Sequence, residues 1–431
     1  MNTKKTVCLL NDSFPPLIDG VANAVVNYAA YLDDQGYSPL VLTPQHPQAA
    51  DSAFPFPVIR YPSIDLRDKT GYLAGVPFSP EIANELQDRQ VAVLHSHCPV
   101  VSTLLARKLR QIVDAPVVLT YHTKFDIDIA NIVRSRALQE GSKRILLENI
   151  NACDEVWTVS RGAGENLRSL GYEGDAIVMP NGVDLPRGRV SQSQIHAVTD
   201  RFDLPRDVPV YLFVGRIMWY KGLRLLLDAL ARLHAHGQDF RMVFVGQGGD
   251  YDQVTAYAQS LGLGQQCIFT GPVQSRETLR CWYCRADLFS FPSTFDTNGL
   301  VVREAAACAL PAVLIRGSCA AEDVTDGQNG FLVEETSESL YQCLLTLSQA
   351  PQLAAAVGEN AQKELYLSWE DGVSLAAKRY EVVMERYRSG QCPSHRKPME
   401  YFLKANGELM QDLGHLIHLR NQLRQHIRPH L

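Results

Sequence analysis

Residues 291–311 have the sequence F-P-S-T-F-D-T-N-G-L-V-V-R-E-A-A-A-C-A-L-P, which predicts a strand, a short loop and a helix in succession. The loop carries Asp296, and the helix, which begins near residue 299, holds Glu304 in its second turn. The amides of Asn298, Gly299 and Leu300 would be unpaired at the helix start and could bind a phosphate or a sugar oxygen. The two carboxylates suit sugar and ribose hydroxyls, because each accepts hydrogen bonds in fixed geometry. The alternative is structural, a helix cap with an acidic first turn.

The alternation of strand and helix continues on both sides of this segment, which is typical of βαβ units and parallel sheets. A polar stretch with several prolines interrupts it between 180 and 207. We therefore predict an α/β protein with two Rossmann-like domains and a ligand-binding cleft between them. The predicted parts are an N-terminal domain (1–190), a linker (191–207), a C-terminal domain (208–368), a long return helix (369–388) and a helical tail (389–431).

The segment V-G-R-I-M-W-Y-K-G at 214–222 supplies two cations, Arg216 and Lys221, between a predicted strand and the next helix. Such a loop lies at the carboxyl end of a parallel sheet, where ligands bind. Departure of a nucleoside diphosphate requires stabilisation of negative charge, which two cations can provide without a metal. The alternative is a pair of surface cations with no common ligand.

Two kinds of loop follow strands in the first half of the chain. Residues 14–21, F-P-P-L-I-D-G-V, contain Gly20, which would let the backbone approach a ligand at the next helix N-terminus; the alternative is a rigid turn. The segments H-S-H at 95–97 and Y-H-T at 121–123 place histidines at strand ends. No carboxylate or cysteine lies at ligand spacing, so no metal is predicted. We expect His95 to make structural hydrogen bonds and His122 to line the cleft.

The composition restricts the class of protein. The chain has 431 residues, of which 46% are hydrophobic and 20% charged, and its formal net charge is −6. These are values for a globular protein of two or three domains without an overall basic surface, so no nucleic acid partner is predicted. The first apolar run is too short for a signal peptide, and the run at 305–315 is too short to span a bilayer. We therefore expect a cytoplasmic protein.

Two motifs resemble those of other enzyme classes but lack the surrounding sequence that those classes require. D-I-D at 126–128 resembles a metal-binding D-x-D motif, but it opens a predicted helix, where acidic residues are expected. G-Q-G-G at 246–249 resembles a dinucleotide fingerprint, but its third glycine position is Tyr251. A dehydrogenase is therefore disfavoured.

Eight segments occur in one order along the chain. They are P-P-L-I-D-G-V at 15–21, H-S-H-C-P at 95–99, T-Y-H-T at 120–123, P-N-G-V-D at 180–184, G-R-x4-K-G at 215–222, V-G-Q-G at 245–248, F-T-G-P-V at 269–273 and the acidic segment ending at 311. This ordered set resembles the retaining glycosyltransferases with the GT-B fold, of the group 1 or family 4 type. The resemblance covers roughly residues 6–388 and leaves the tail outside.

The resemblance implies roles in the second domain for the matching positions. Arg216 and Lys221 would hold the diphosphate of a nucleotide-sugar donor, and Glu304 would hold its ribose. Asp296, with the backbone of residues 298–300, would hold the hexose.

Three further positions acquire roles in the same way. The backbone near Val273 would meet the base, Gly20 would let the first-domain loop close over the donor, and His122 would line the acceptor side near the anomeric carbon. The nucleotide-sugar is a substrate, and no metal or other cofactor is implied.

The chain departs from the family pattern at three positions. Asp296 stands where the family usually has glutamate, and Asp19 and Ala309 stand where it has glycine. Within the family, T-F-D-T-N-G-L at 294–300 and T-Y-H-T-K at 120–124 look like segments of diacylglycerol glucosyltransferases. That subgroup implies transfer of glucose from UDP-glucose to a membrane lipid such as diacylglycerol.

A lipid acceptor requires binding to a membrane surface. The segment 127–147 carries four cations among apolar residues: Arg134, Arg136, Lys143 and Arg144. We expect these cations to bind the anionic cytoplasmic face of a membrane; the alternative is a core helix with a solvated basic face. The tail has an apolar stripe through Leu409, Leu413, Leu416 and Leu423. It predicts a helical hairpin docked on the body or on a second subunit, or else a membrane-facing helix.

Other functions remain open at this point. The same catalyst could act on a soluble or polysaccharide-linked acceptor, or the chain could bind a sugar nucleotide without catalysis. A glycosidase would need a paired acid and nucleophile, but the two cations favour a phosphate leaving group.

Overall fold

The structure is a computed structural model, and it describes residues 4–17, 19–65, 73–123, 125, 136–205, 207–392, 402–413 and 416. The chain divides into two compact units. Unit 1 comprises Met1–Pro180 and Trp369–Leu431, and unit 2 comprises Asn181–Ser368. Each unit contains a parallel sheet with helices, so the predicted α/β class with two Rossmann-like domains is confirmed.

The first stretch of unit 1 alternates strands and helices. Its elements are β1 (Lys5–Leu10), α1 (Gly20–Leu32), β2 (Tyr37–Pro44), β3 (Val58–Tyr61), β4 (Ser63–Asp65), β5 (Leu73–Gly75), α2 (Pro80–Gln87), β6 (Val91–Ser96), α3 (Val101–Val113), β7 (Val117–Tyr121), α4 (Arg136–Asn151), β8 (Glu155–Thr158), α5 (Arg161–Ser169) and β9 (Ala176–Val178).

The sheet of unit 1 has, among the described residues, the strand order β3-β2-β1-β6-β7-β8-β9, and its pairs are parallel. In the central strand β1, Val7 and Leu9 belong to one core cluster, whereas Cys8 and Leu10 belong to another. Both faces are therefore buried, which is why this strand is a continuous apolar run. The strand order reverses between β1 and β6, and ligands of such sheets bind at the carboxyl edge of that point.

Helix α13 (Trp369–Arg388) completes unit 1, although it follows unit 2 in sequence. Tyr380 is fully buried, and its hydroxyl lies 2.6 Å from Nδ1 of His95. The buried carboxylate of Glu155 accepts hydrogen bonds from Arg379, at 2.8 and 2.6 Å, and from Arg386, at 3.1 Å. The predicted return helix thus has the expected bounds, and a buried charge with several donors holds it in place.

Unit 2 repeats the pattern. Its elements are α6 (Gln192–Thr199), β10 (Val210–Val214), α7 (Leu223–Ala235), β11 (Arg241–Val245), α8 (Tyr251–Ser260), β12 (Cys267–Gly271), α9 (Arg276–Arg285), β13 (Leu288–Phe291), α10 (Leu300–Ala307), β14 (Ala312–Ile315), β15 (Phe331–Val333), α11 (Ser337–Gln349) and α12 (Pro351–Glu364).

The sheet of unit 2 has the order β12-β11-β10-β13-β14-β15 within the part of the chain that the structure describes, again with parallel pairs. The order reverses between β10 and β13. The loops that leave these two strands therefore flank the crevice where ligands bind in open α/β sheets. These are the loops that carry the predicted cations and Asp296.

The boundary between the units differs from the predicted one. It lies after Pro180 rather than after 190, and the predicted linker at 191–207 contains α6, which belongs to unit 2. Ser191 and Gln194 form a capping box at its start, and Ile195 is buried in the core of unit 2. A helix of two turns gives little apolar periodicity, so the capping residues were the better signal.

Part of the tail packs on unit 1. Residues 402–413 are helical, with Leu403 and Met410 buried, and a Cβ on Gly407 would lie 3.1 Å from the carbonyl oxygen of Lys108 in α3. Docking on the body is therefore confirmed for this stretch. The predicted apolar stripe does not supply this docked face, because Leu409 and Leu416 are 52% and 61% exposed, whereas Leu413 is half-buried.

The remainder of the predicted stripe, Leu423, lies outside the described residues. Within the residues that are described, no helix combines the length and the apolar character needed to cross a membrane.

Candidate active site

The loops after β10 and β13 bring Lys221 and Asp296 into contact. The ammonium of Lys221 donates to Oδ1 and Oδ2 of Asp296, at 2.7 and 2.9 Å. Ser293, which is fully buried, donates from Oγ to Oδ2 of Asp296 at 2.6 Å. The sequence predicted both charged groups at one sheet edge, but it did not reveal that they bind one another or that Ser293 orients the carboxylate.

Glycines allow these loops to approach one another. Gly222 follows the 3-10 turn Trp219–Lys221 with a φ of +75°, and a Cβ there would overlap the carbonyl oxygen of Pro292. A Cβ on Gly246 would overlap the carbonyl oxygen of Gly215. The close approach requires glycine at both positions, because any side chain would displace backbone.

Arg216 lies in the same loop with its side chain exposed. Its guanidinium carbon is 5.9 Å from the centre of the Tyr220 ring, and the ammonium nitrogen of Lys221 is 5.6 Å from the same centre. Arg216 has no ion pair among the described residues, so its charge is available to a ligand. The two predicted cations therefore differ, since Lys221 is buried and paired.

Glu304 is buried and fixed by two neighbours from α9. Its Oε1 accepts from Nη2 of Arg276 at 2.5 Å, and its Oε2 accepts from the hydroxyl of Tyr283 at 2.8 Å. Arg276 also lies 3.7 Å from a carboxylate oxygen of Asp184. Burial and the adjacent Glu304 carboxylate raise the pKa of Tyr283, so its hydroxyl keeps the proton that it donates.

Sequence reasoning missed Arg276 and Tyr283. The seven-residue spacing between them places both on one face of a helix, which was the available signal. Nothing in the sequence indicated that this face meets Glu304.

The start of α10 has unpaired backbone donors. Gly299 is the N-cap residue, with a φ of +59°. No side chain of the described residues caps the helix, and its first turn contains no acidic residue. The alternative of a side-chain cap with an acidic first turn is therefore wrong. The Nδ2 atom of Asn298 is enclosed and has no hydrogen-bond partner among the described residues. Together with the amides that follow, including that of Leu300, it offers donors to a ligand oxygen.

Val273 follows β12 and is half-buried. Its loop is tied to the glycine segment after β11, because the amide of Gly246 donates to the carbonyl of Gly271 at 3.0 Å. The loops after β10, β11 and β12 are thus joined in one layer.

In unit 1, Gly20 is the first residue of α1. A Cβ at this position would meet no atom of the described residues within 4 Å, so the backbone borders open space there. Asp19, which replaces a family glycine, caps the helix by accepting from the amides of Val21 and Ala22 at 2.9 and 2.7 Å. The other replacement, Ala309, has a φ of +55°, a conformation that favours glycine.

The histidines of unit 1 form a buried cluster. His95 contacts Tyr380 and Thr120 through its two ring nitrogens, at 2.6 and 2.7 Å, so its predicted structural role is confirmed. Nδ1 of His97 lies 2.9 Å from Nε2 of His122, and the rings are stacked. Burial lowers the pKa of His122 to about 3 and that of His97 well below its usual value. Both rings are therefore uncharged at neutral pH, and the N–H of one donates a hydrogen bond to the unprotonated nitrogen of the other.

The predicted membrane-contact residues are only partly described. Arg134 lies outside the described residues, as does the side chain of Arg136, which begins α4. Lys143 pairs with Glu140 at 3.1 Å, whereas Arg144 is exposed beside Ile145, which is 65% exposed. The D-I-D motif at 126–128 also falls outside the described residues.

Comparison with known proteins gives matches along most of the chain. A family model described as Glycosyltransferase Family 4 matches residues 18–187, and one described as Glycosyl transferases group 1 matches residues 198–364. The alpha-monoglucosyldiacylglycerol synthase of Acholeplasma laidlawii is 24% identical over 366 residues, covering 82% of this chain and 91% of that protein. A GDP-mannose-dependent alpha-mannosyltransferase of Corynebacterium glutamicum is 24% identical over 411 residues, 92% of each chain.

A solved structure, Anabaena HepE in complex with UDP and glucose, is similar to this chain with a TM-score of 0.67. It is 20% identical and covers 87% of this chain and 99% of its own. This likeness supports the fold, and the two family models match in the order in which the two sheets occur. The chain therefore belongs to the group 1 and family 4 glycosyltransferases, which have the GT-B fold.

Proposed function

We propose that this glycosyltransferase moves a hexose, glucose in the first instance, from a nucleotide-sugar to a membrane lipid such as diacylglycerol. We propose further that it retains the configuration at the anomeric carbon and needs no metal. The observation that carries the proposal is the pairing of Lys221 with Asp296 beside the exposed Arg216, at the reversal point of the unit 2 sheet. Cations for a diphosphate and a carboxylate for a hexose are thereby adjacent.

In this proposal the two cations stabilise the leaving nucleoside diphosphate. Negative charge develops on the bridging oxygen as the bond to the anomeric carbon breaks, and fixed positive charge lowers the energy of that state. Lys221 is suited to this because Asp296 already holds its ammonium and Ser293 orients Asp296, so little reorganisation is required. In this proposal, these two cations stabilise the leaving diphosphate in place of a divalent metal ion.

Glu304 would bind the ribose of the donor. Its two oxygens each accept one hydrogen bond, from Arg276 and Tyr283, and each retains a lone pair for a ribose hydroxyl. Asn298 and the amides at the start of α10 would donate to the hexose or to a phosphate oxygen. The enclosed Nδ2 of Asn298 supports this, because an unsatisfied donor costs about 1–3 kcal/mol.

His122 would contact the substrate from unit 1 as an uncharged hydrogen-bonding group. Burial lowers the pKa of His122 to about 3, so in this proposal it acts as an uncharged donor or acceptor and not as a cationic acid. Gly20 and Val273 would contribute backbone, to the closing loop and to the base respectively.

The lipid acceptor and the UDP-glucose donor are supported by relatives rather than by contacts. One relative is named as a synthase of a glucosyl diacylglycerol, which favours glucose and a lipid. Another is named as dependent on GDP-mannose, so both nucleotides belong in the test. The second candidate is the same reaction on a soluble or polysaccharide-linked acceptor.

A donor screen by release of nucleoside diphosphate is the direct test. We expect UDP-glucose to give the fastest release, and we expect diacylglycerol in mixed micelles to accelerate it more than a soluble acceptor does. Faster release with GDP-mannose would change the assigned donor, and acceleration by soluble sugars alone would replace the lipid acceptor.

Binding to a membrane surface is expected if the acceptor is a lipid. Each basic residue near an anionic surface contributes about 1 kcal/mol. Replacing Lys143 and Arg144 by serine should therefore weaken binding to anionic vesicles by about 30-fold, and adding Arg134→Ser and Arg136→Ser should abolish it. Sedimentation with anionic and neutral vesicles at low and high salt measures this.

Lys363→Ser with Arg316→Ser is the control, since it removes two cations from unit 2. Vesicle binding should be unchanged in this variant. If the unaltered protein does not bind anionic vesicles at low salt, the proposal of a peripheral protein at the cytoplasmic face of a membrane is wrong. A cytoplasmic protein with a soluble acceptor then replaces it.

A further inference from the structure

The pair formed by Lys221 and Asp296 is more enclosed than a surface ion pair. The side chains of Lys221 and Asp296 are 8% and 22% exposed. The ammonium of Lys221 also lies 5.7 Å from the centre of the Phe291 ring. With aromatic rings beside it and little water, the charge of Asp296 acts strongly on anything that binds Lys221.

The two members of this pair have different assignments in the proposed function, on which this inference rests. Lys221 is assigned to the diphosphate and Asp296 to the hexose, yet in the structure they bind each other. A phosphate oxygen that reaches Lys221 must therefore share the ammonium with a carboxylate already in contact with it. Both groups are anionic, and their repulsion opposes binding.

The hexose changes this balance. Its hydroxyls can donate hydrogen bonds to the carboxylate of Asp296, and this attraction compensates the repulsion. A free nucleoside diphosphate has no hydroxyl at that position. It experiences the repulsion without compensation.

We propose that Asp296 is a specificity-determining residue that favours the sugar-bearing nucleotide over the free nucleoside diphosphate, through its pair with Lys221. Ser293 is a positioning residue in this arrangement, because its buried hydroxyl holds Oδ2 of Asp296 at 2.6 Å. The consequence for turnover is that the product leaves more readily than the donor does.

The test is Asp296→Asn in the full chain, with binding of UDP, GDP, UDP-glucose and GDP-mannose measured by calorimetry. Asparagine keeps the shape and an acceptor oxygen but removes the charge. The nucleoside diphosphate that the unaltered protein binds should bind about tenfold more tightly to the variant, and the corresponding nucleotide-sugar about tenfold less tightly. Asp296→Ser should change both affinities in the same directions.

Two control variants test whether the effect comes from the carboxylate at position 296 or from any loss of negative charge on the protein. Asp296→Glu retains the carboxylate and should therefore lack the tenfold gain in diphosphate affinity that the charge-removing variants show. Asp252→Asn removes an exposed carboxylate at the start of α8 and should leave both affinities unchanged. Thermal unfolding of each variant checks that the fold is retained.

The outcomes are distinguishable. If the unaltered protein binds both ligands and the charge-removing variants bind the diphosphate equally well or less well, the inference is wrong and the proposed function stands. If the unaltered protein binds neither a diphosphate nor a nucleotide-sugar, the proposed function fails, and this inference fails with it.

Discussion

Lys221→Ala is expected to lower the rate of hexose transfer by about 10²–10³-fold, the scale for removing one preorganised group that stabilises developing negative charge. The effect is large because this ammonium is buried beside Asp296, so water replaces its charge poorly. Arg216→Ala should give a loss of the same order, through the exposed cation of the same loop. Steady-state transfer with a radiolabelled donor measures both.

Arg232→Ala is the matched control, since this half-exposed arginine of α7 pairs with Glu338 and lies on no proposed ligand contact. Its transfer rate should remain within about twofold of the unaltered rate. A chelator should leave the rate of the unaltered protein unchanged. Loss of transfer in EDTA that a divalent ion restores would show that metal, rather than the two cations, stabilises the leaving group.

Glu304→Ala is expected to weaken the binding of free nucleoside diphosphate by about 10–100-fold. The expected range corresponds to charge-assisted hydrogen bonds to the ribose, worth about 1.5–3 kcal/mol together. The substitution also leaves Arg276 and the hydroxyl of Tyr283 without their carboxylate partner. Because the ribose is common to donor and product, the affinities for diphosphate and nucleotide-sugar should fall by the same factor.

Glu304→Gln separates the two contributions, because its amide oxygen can still accept from Tyr283 while the charge opposite Arg276 is lost. Its affinity should lie between those of the alanine variant and the unaltered protein. Glu335→Ala, at an exposed glutamate of the same unit, is the control and should bind normally. If Glu304→Ala binds the diphosphate as tightly as the unaltered protein, Glu304 does not bind the ribose and its role is structural.

Sheet edges were the most predictable part of the site. Apolar strands alternating with helices fixed the parallel sheets, and parallel sheets place the loops after β10 and β13 at one edge. Arg216, Lys221 and Asp296 could therefore be assigned to a common region before any contact was known. The contact between Lys221 and Asp296 spans 75 positions in the chain and depends on the glycines that let the loops meet.

Partners on other elements were not predictable. Arg276 and Tyr283 reach Glu304 through tertiary contacts that span 28 and 21 positions, and polar residues of their type are common on helices. Ser293 lies only three positions before Asp296, but a serine in a loop is too common to indicate that contact. The small helix α6 was also missed, because its capping box is a local signal that the search for apolar periodicity passes over. The docked face of the tail carries Leu403, Gly407 and Met410, which lie outside the apolar stripe from which the prediction started.

The return of the chain to unit 1 affects how the protein is made on the ribosome. The first stretch of unit 1 ends at Pro180, but α13, which supplies Tyr380 to His95 and Arg379 to Glu155, ends at Arg388. Translation at about 5–20 residues per second needs about 10–40 s to add the intervening 200 or so residues. During that interval α1 covers one face of the nascent N-terminal sheet without α13 beside it, and Glu155 lacks its arginines. Unit 2, by contrast, is synthesised as one uninterrupted stretch. The half of the protein that is translated first is therefore the half that is completed last.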